Sequence, residues 1–345
     1  TAGWFYNNAD VYDKLPDDIP YKIYVGEYAA IGRPSLYSSL AEAAYLTGVE
    51  RNADKVQMVS YAPLIENAAH GKDHLLVLKN DSVYGRTNYY VLKMFSENRP
   101  DVNLHTDLKP ASPEPVFRTN GFIGLGTNNT EAQFKDLKVI VNGEEIYTSG
   151  WSDFVDKWTI IRGDWKTEGN LLSQSQKGID ALAILEDREF DDCTIELKAK
   201  KISGTEGFRI VFGGTDPNNY FMADIGSHTN ESVIFREVNN EGSISLFDYR
   251  NTASIKTDQW YTVRIEIEGA HWKCFLNDEL QYEYTYAPKK KHYVVSGYDR
   301  ERKEVIVKLV NAEAGNWKVR LQLDKAKNLA SKGTKIVLGA DDRFD

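Results

Sequence analysis

Glu27 is the residue whose position most directly suggests chemistry. It follows the run Tyr21–Gly26, which has the character of a buried strand. Active sites of parallel α/β barrels are built just past the carboxyl ends of the strands, and Gly26 would allow a tight turn that aims the carboxylate inward. An ionised carboxylate there could attack an anomeric carbon, as in retaining glycosidases, where a second carboxyl group lies about 5–5.5 Å away. The alternative is an exposed glutamate in a strand-to-helix loop.

Composition and charge argue against several classes of function. The chain has 345 residues and a net charge of -9, which disfavours nucleic acid, because binding to phosphate depends on Lys and Arg. No apolar run approaches the ~20 residues needed to span a membrane. Cys193 and Cys274 lie in strand-like runs without zinc-site spacing and are interpreted as buried free thiols. No metal and no cofactor is therefore predicted.

The first hundred residues or so have an α/β pattern. A strand near residues 21–29 precedes a helix with Ser35 as its N-cap, and a strand near 55–65 precedes a helix capped by Thr87. One apolar face is predicted for the first helix, formed by Leu36, Leu40, Ala43, Ala44 and Val49. This order implies a parallel sheet. About two βα units are only a quarter of a (β/α)8 barrel, so both sheet edges would be exposed.

The pattern changes to short strands after a proline-rich linker at residues 106–116. Residues 117–285 alternate apolar and polar residues, with hairpin turns at Asn142-Gly143 and Asn277-Asp278, which is typical of a two-sheet β-sandwich. Residues 286–345 are interpreted as a small, truncated C-terminal β-domain, with further strands at 317–324 and 334–342. The predicted fold class is therefore α/β plus all-β.

Aromatic residues make up 12% of the chain, and they allow two interpretations of the sandwich. Rings can stack on the apolar faces of sugars, but β-proteins also use Tyr and Trp freely in strands. We expect most of six candidate platforms to lie in the core and one or two to face a ligand; the six are Trp151, Trp158, Trp165, Tyr220, Trp260 and Trp272. Asp216, Asn218 and Asn219 are interpreted as a turn rather than a calcium loop.

Four runs together resemble the end of the catalytic barrel of a glycoside hydrolase family 51 α-L-arabinofuranosidase. They are "WFYNNADVYD", "YKIYVGEYAA", "SLAEAAYLTGVERNADKVQMVSYAPLIEN" and "VYGRTNYYVLKMFSENRPD", and "EVIVKLVNAE" is similar to the family's C-terminal β-domain. The resemblance covers roughly residues 1–105 and 290–345. Separately, "NGFIGLGTNNTEAQFKDLKV" resembles the closing strand of laminin-G-like or concanavalin-like sandwiches. Because it stands first in the sandwich, we expect permuted strand order or pairing with the end of the domain.

The family resemblance implies a fold, an activity and a set of site residues. It implies a barrel end at 1–105, an inserted sandwich at 117–285, and retaining release of terminal L-arabinofuranosyl residues from arabinan, arabinoxylan and their oligosaccharides. Glu27 occupies the position of the nucleophile, and the acid/base glutamate is expected upstream of Thr1, because neither Asn-Glu pair of the sandwich matches it. The chain alone is therefore expected to be inactive. Tyr84 and Asn88 are expected to contact the sugar. Tyr28 and Tyr61, at the mouths of the strands, are expected to line the site; the alternative is that these two are ordinary aromatic residues of the core or rim.

Two hypotheses follow from the sequence. The first is part of an arabinofuranosidase that meets arabinose-containing plant glycans in the periplasm or outside a bacterial cell and, as the family resemblance hints, forms homo-oligomers. The second is a non-catalytic carbohydrate-binding sandwich with a vestigial barrel segment. A spacer sandwich without any ligand is a third interpretation. Six further βα units upstream, with Asn-Glu at the fourth, would favour the enzyme.

Overall fold

The computed structural model describes residues 2–30, 35–70, 75–110, 116–240, 242–246, 253–313, 315–324, 326 and 328–339. Residues 111–115 of the predicted linker therefore lie outside the described residues. The chain forms two compact units: the α/β unit contains Thr1–Pro113 and Lys289–Asp345, and the sandwich unit contains Glu114–Pro288. Most of the regular structure is β-sheet. The division into four segments made from the sequence stays a prediction.

The elements are numbered in chain order. Helices are α1 (Ala2–Asn7), α2 (Leu36–Arg51), α3 (Thr87–Glu97), α4 (Phe154–Lys157) and the short α5 (Ser227–Asn230). The first strands are β1 (Ile23–Tyr28), β2 (Val56–Tyr61), β3 (Ile65–Asn67), β4 (Leu76–Lys79), β5 (Ser82–Gly85) and β6 (Val102–Leu104). The next are β7 (Gly121–Asn128), β8 (Thr130–Val141), β9 (Glu144–Ser149), β10 (Trp158–Arg162), β11 (Trp165–Glu168), β12 (Leu171–Gln174), β13 (Asp180–Phe190) and β14 (Thr194–Gly204). The last are β15 (Phe208–Asp216), β16 (Asn219–Gly226), β17 (Ser232–Asn239), β18 (Gly242–Leu246), β19 (Trp260–Glu268), β20 (His271–Leu276), β21 (Glu279–Thr285), β22 (His292–Asp299) and β23 (Glu304–Asn311).

The α/β unit contains the predicted parallel strand pair. β1 pairs with β2 in parallel, with Val25 opposite Val59 and Tyr28 opposite Tyr61. Three steps along β1 match two along β2, so one extra residue bulges at Gly26-Glu27. The predicted tight turn at Gly26 was wrong: this glycine lies inside the strand, and an added Cβ would meet only Tyr24 at 3.8 Å. The bulge, rather than a turn, sets the direction of the following residues.

Helix α2 is enclosed by its neighbours. Ser35 caps it in a capping box with Ser38, which confirms the predicted N-cap. The prediction of one apolar face was wrong, because every residue from Leu36 to Gly48 except Leu40 is buried. Small residues permit this enclosure: a Cβ on Gly48 would come within 1.9 Å of the Ala9 carbonyl oxygen. A helix buried on all sides shows no amphipathic stripe in its sequence.

Helix α3 begins at Thr87, but the predicted cap was wrong. Arg86 holds the N-cap position, and no side chain caps the helix. The Thr87 hydroxyl instead lies 2.6 Å from Ser39 Oγ on α2. This contact uses the hydroxyl to join two helices rather than to satisfy a backbone N–H of its own helix.

The C-terminal residues form fewer strands than predicted. β22 lies between β23 and β6, so this sheet combines residues that precede and follow the sandwich unit in the chain. The strand predicted at 317–324 is absent, and 334–339 is also irregular; residues 340–342 lie outside the described residues. A strand needs a hydrogen-bonding neighbour, and no described strand pairs with these segments. Leu321 and Ile336 are each 58% exposed.

The sandwich unit contains two antiparallel sheets that share one core. One sheet has the order β10-β13-β7-β15-β16-β17-β18, and the other has β11-β12-β8-β14-β19-β20-β21 with β9 beside β8. Alternate residues of both sheets enter a continuous apolar cluster, as in β-sandwiches generally. Cys193 and Cys274 are both buried and free, as predicted.

Two details of the sandwich test sequence predictions. Asn142-Gly143 and Asn277-Asp278 have positive φ at both residues, which confirms the predicted hairpin turns. β7 pairs with β13 and β15, whereas β8 pairs with β9, β12 and β14. Of the two expectations for this segment, pairing with the end of the domain was wrong, because β14 and β19 separate β8 from β20 and β21 in the second sheet. Permuted strand order stays a prediction.

A buried ion network lies on the face of the first sheet that points away from the shared core. Asp224 is 1% exposed. Its carboxylate accepts hydrogen bonds from Arg209 Nε at 3.1 Å and Arg236 Nε at 2.6 Å. Burial alone would raise the pKa of Asp224, but the two guanidinium groups outweigh it and hold the pKa below the ordinary value.

Replacement of Asp224 by Asn should destabilise the chain at pH 7 by about 3 kcal/mol, because Arg236 loses its described carboxylate partner and Arg209 keeps only Asp180 and Glu206. Since the folded pKa of Asp224 is lowered, its stabilisation is present above the unfolded pKa of about 3.9 and disappears as the pH falls through the folded value. Urea denaturation at several pH values measures both effects.

Asp136→Asn is the matched control, because Asp136 forms an exposed ion pair with Lys198 at 3.3 Å. Its loss should cost no more than about 1 kcal/mol. Equal unfolding free energies for the two variants at pH 7 would contradict the role given to the Asp224 network.

Candidate functional site

Glu27 lies at the carboxyl end of β1, where the bulge interrupts the register with β2. Its side chain is exposed, and its carboxylate makes no hydrogen bond or ion pair to another described residue. The position agrees with the predicted strand end, although Glu27 belongs to the strand itself. A solvent-facing carboxylate at this end of a parallel strand can reach a bound molecule without breaking a protein contact.

Tyr28 and Tyr61 end the two paired strands and contact each other. Their ring centroids lie 5.1 Å apart in an edge-to-face arrangement. Tyr28 is 5% exposed and also packs against Phe5 and Tyr45. Its hydroxyl has no hydrogen-bond partner among the described residues. Burial and the nearby Glu42 carboxylate raise the pKa of Tyr28 above its ordinary value, so the group remains a neutral phenol.

Glu42, on α2, is the residue that sequence reasoning missed. It is 1% exposed. Its Oε1 accepts a hydrogen bond from the Ala30 amide at 2.7 Å and from the Tyr61 hydroxyl at 3.2 Å, and the Asn88 side chain is a third donor to the carboxylate, weaker than the Ala30 amide. Burial raises the pKa of Glu42, and these three hydrogen bonds offset that effect only in part. The sequence signal that could have indicated its burial was the apolar residue on each side, Ala41 and Ala43.

Asn88 and Tyr84 occupy different environments. Asn88 is 4% exposed near the start of α3, and its Oδ1 accepts a hydrogen bond from Ser39 Oγ at 2.9 Å. Its amide group is therefore left to donate to Glu42. Tyr84 lies on β5 and is 47% exposed. The structure thus brings Tyr28, Tyr61 and Asn88 together around Glu42, and Tyr84 has no described contact with them.

Most of the aromatic candidates of the sandwich are buried, as expected, and one ring is partly exposed. Trp151, Trp158, Trp165, Tyr220 and Trp272 are at most 6% exposed. Trp260 is partly exposed on β19, with the Lys135 and Lys200 ammonium groups 4.4 Å and 5.0 Å from its ring centroid. No described carboxylate forms an ion pair with either lysine.

The oxygen-rich loop of the sandwich is a turn, as predicted. Asp216 accepts hydrogen bonds from the Asn218 amide and from Asn219 Nδ2, both at 2.8 Å. Its oxygens are therefore used within the loop. The described residues contain no group of three His, Cys, Asp or Glu side chains arranged to hold a metal ion. None of the helices in the described part of the chain is long and apolar enough to cross a membrane.

Curated relatives of this sequence include α-L-arabinofuranosidases. The chain is 29% identical to an extracellular exo-α-L-arabinofuranosidase of Streptomyces chartreusis over 347 aligned residues, which cover 99% of this chain and 41% of that protein. It is 31% identical to α-L-arabinofuranosidase 1 of Arabidopsis thaliana, over 53% of this chain and 28% of the relative. The chain thus spans less than half the length of these two relatives.

Two solved structures also align with the chain. One is the carbohydrate-binding module CBM66 from Bacillus subtilis, at 22% identity and a TM-score of 0.33, covering 39% of this chain and 81% of that chain. The other is the arabinose-bound α-L-arabinofuranosidase MgGH51, at 22% identity and a TM-score of 0.30, covering 55% of this chain and 36% of that chain. At these TM-scores the alignments support no further argument.

The family model for the α-L-arabinofuranosidase C-terminal domain matches residues 20–343. The match includes β1, the Glu42 cluster, the sandwich unit and the β22–β23 hairpin. It confirms the family to which the sequence runs around Glu27 point. The chain therefore belongs to the α-L-arabinofuranosidase C-terminal domain family.

Proposed function

We propose that this chain is part of a retaining α-L-arabinofuranosidase in which Glu27 is the nucleophile. The whole enzyme would release terminal L-arabinofuranosyl residues from arabinan, arabinoxylan and their oligosaccharides. The observation that carries the proposal is the exposed Glu27 carboxylate at the carboxyl end of a parallel strand, the end at which α/β barrels build their active sites. Family membership supplies the class of reaction.

In the proposed barrel, β1 and α2 form one βα unit, and β2 is the strand that follows it. Parallel sheets are normally covered on both faces. The β1–β2 pair instead exposes Tyr24 and Met58, neighbours in the register, by 55% and 56%. Further strands and helices of the whole enzyme would cover this apolar surface. The concanavalin or laminin-G character of the sandwich is part of the same proposal.

The proposed reaction is a double displacement. The Glu27 carboxylate attacks the anomeric carbon and forms a glycosyl-enzyme ester, while a second carboxylic acid outside this chain protonates the departing oxygen. That second group then takes a proton from water, which attacks the same carbon and frees Glu27. Tyr28, Tyr61, Tyr84 and Asn88 are proposed to line the substrate site, with Tyr61 and Asn88 anchored to Glu42.

The purified 345-residue chain should not hydrolyse an aryl α-L-arabinofuranoside above the rate without protein. One carboxylate without its acid/base partner cannot complete both displacements. Release of the phenol, followed by absorbance, measures the rate. Steady turnover that persists through a second purification step would contradict the proposed location of the acid/base residue outside this chain.

Glu27→Ala in the full-length enzyme should lower kcat by at least about 1,000-fold, because the covalent intermediate can no longer form. Azide should partly restore the rate and yield an arabinosyl azide of inverted configuration, since a small anion can occupy the space of the lost carboxylate. Glu66→Ala, on β3, is a carboxylate control expected to keep most activity. A Glu27→Ala enzyme with unchanged kcat would remove Glu27 from the nucleophile role.

We propose glycan binding by the sandwich unit as a second function, favoured by the partial exposure of Trp260. Its ring could stack on the apolar face of a sugar. Because two lysine ammonium groups lie near the ring, a stacked sugar would displace at least one of them. The arabinose-containing glycans proposed as substrates are the ligands to test first.

Trp260→Ala should weaken binding of arabino-oligosaccharides to the chain at least about tenfold, or about 1.4 kcal/mol. Titration calorimetry measures the dissociation constant. Phe275→Ala is the matched control, because Phe275 is also a partly exposed aromatic residue of the same sheet, stacked by Arg264 at 3.9 Å. No heat with any arabinose-containing glycan, or equal affinities for both variants, would overturn glycan binding at Trp260.

A further inference from the structure

The Glu42 carboxylate is buried without a cationic partner among the described residues. Buried carboxylates are normally paired with a charge or neutralised. Here the compensation comes from hydrogen bonds donated by Ala30, Tyr61 and Asn88. An arrangement of this kind is costly to build for stability alone, because apolar packing of the same helix would avoid the desolvation of a carboxylate.

The three donors belong to three separate segments of the α/β unit. Ala30 lies three residues after Glu27, Tyr61 is the last residue of β2, and Asn88 is the second residue of α3. One carboxylate therefore fixes the backbone that leaves β1 and the side chain that ends the neighbouring strand. These are the segments on either side of the bulge that presents Glu27.

We propose that Glu42 is a positioning residue that holds the Glu27 carboxylate in its reactive place. The inference rests on the proposed function of Glu27. The Glu42 carboxylate is already bonded to the Ala30 amide and the Tyr61 hydroxyl, so it acts through the exit of β1 and the end of β2. A displacement of about 1 Å at a reacting group can cost about 100-fold in rate. Loss of the hydrogen bond from the Ala30 amide to Glu42, three residues after Glu27, should therefore lower kcat measurably.

The chemistry of the cluster requires a carboxylate rather than an amide. Three donors point at Glu42, and an ionised carboxylate offers only acceptors. A glutamine at this position has one oxygen for two of the donors and would turn its own NH₂ group toward the third. The Ala30 amide and the Tyr61 hydroxyl share Glu42 Oε1. Glu42→Gln therefore keeps the size of the side chain but weakens both bonds, because a neutral amide oxygen is a weaker acceptor than a carboxylate. If the NH₂ group takes the place of Oε1 instead, both bonds are lost.

The test compares Glu42→Gln with Glu50→Gln in the full-length enzyme. Glu50 lies on the same helix, is largely buried and pairs with Lys308 on β23, away from the ends of β1 and β2. Glu42→Gln should lower kcat about 10- to 100-fold with KM changed less than about threefold. Glu50→Gln should keep kcat within about threefold, at an equal folded fraction by circular dichroism.

A second comparison separates positioning from general loss of structure. In a Glu27→Ala background rescued by azide, there is no Glu27 carboxylate to position, so adding Glu42→Gln should lower the rescued rate less than about threefold. An equal loss in both backgrounds would overturn the inference, as would a fully active Glu42→Gln enzyme. If Glu42→Gln does not fold, Glu42→Asp keeps an acceptor-only group in a retracted position and is judged by the same two comparisons.

The outcomes separate the positioning role of Glu42 from the nucleophile role of Glu27. An active Glu27→Ala enzyme would overturn the nucleophile role and the positioning role together. An inactive, azide-rescued Glu27→Ala enzyme beside an unimpaired Glu42→Gln enzyme would overturn the positioning role alone.

Discussion

The buried carboxylate of Glu42 is the constraint around which the α/β unit is arranged. A carboxylate with 1% of its surface exposed must find hydrogen-bond donors inside the protein. The donors come from the exit of β1, the end of β2 and the start of α3. Satisfying one side chain therefore requires these three segments to meet. Because α2 is enclosed along most of its length, it can carry this group to the place where the parallel strands end.

The sandwich unit also contains a buried carboxylate that needs partners inside the protein, and there the partners are charged. Asp224 is buried between Arg209 and Arg236, which keep it ionised, whereas Glu42 is surrounded by neutral donors and has a raised pKa. The Asp224 network occupies a sheet face outside the shared core and contacts neighbouring strands. Aromatic residues fill the core itself: the Trp272 ring lies 4.7 Å from Phe221 and 5.0 Å from Phe212, measured between centroids. Packing of the core thus accounts for most of the aromatic residues, whereas Trp260 is partly exposed and lies outside the core.

Local patterns predicted much of the fold. Alternation of apolar and polar residues predicted the sandwich strands, the Asn-Gly and Asn-Asp pairs predicted the hairpins, and Ser35 predicted the start of α2. These predictions were possible because each signal depends only on neighbours in the chain. The bulge at Gly26-Glu27 could not be predicted, since it is defined only by the register with β2. The strand expected at 317–324 and the described part, 334–339, of the one expected at 334–342 are irregular for a related reason. Alternation shows which face of a strand could be buried, but it supplies no pairing strand.

The candidate site shows the same division between local and tertiary information. Glu27, Tyr28 and Tyr61 were predicted as site residues from their positions at strand ends, and Tyr84 and Asn88 from the family resemblance; all five stay predictions. Glu42 was not predicted, because its role depends on the burial of α2 on all sides. The residue type alone does not show whether a glutamate is buried or exposed. The apolar neighbours Ala41 and Ala43 were the sole local hint.

Covalent trapping tests the nucleophile role of Glu27 most directly. The full-length enzyme would be treated with an electrophilic, arabinofuranose-configured aziridine inhibitor, digested, and mapped by tandem mass spectrometry. Such an inhibitor forms a stable ester with the carboxylate that attacks the anomeric position. The proposed mechanism predicts one label per active site, on the carboxylate of Glu27. A label on another carboxylate, with Glu27 unmodified, would contradict it.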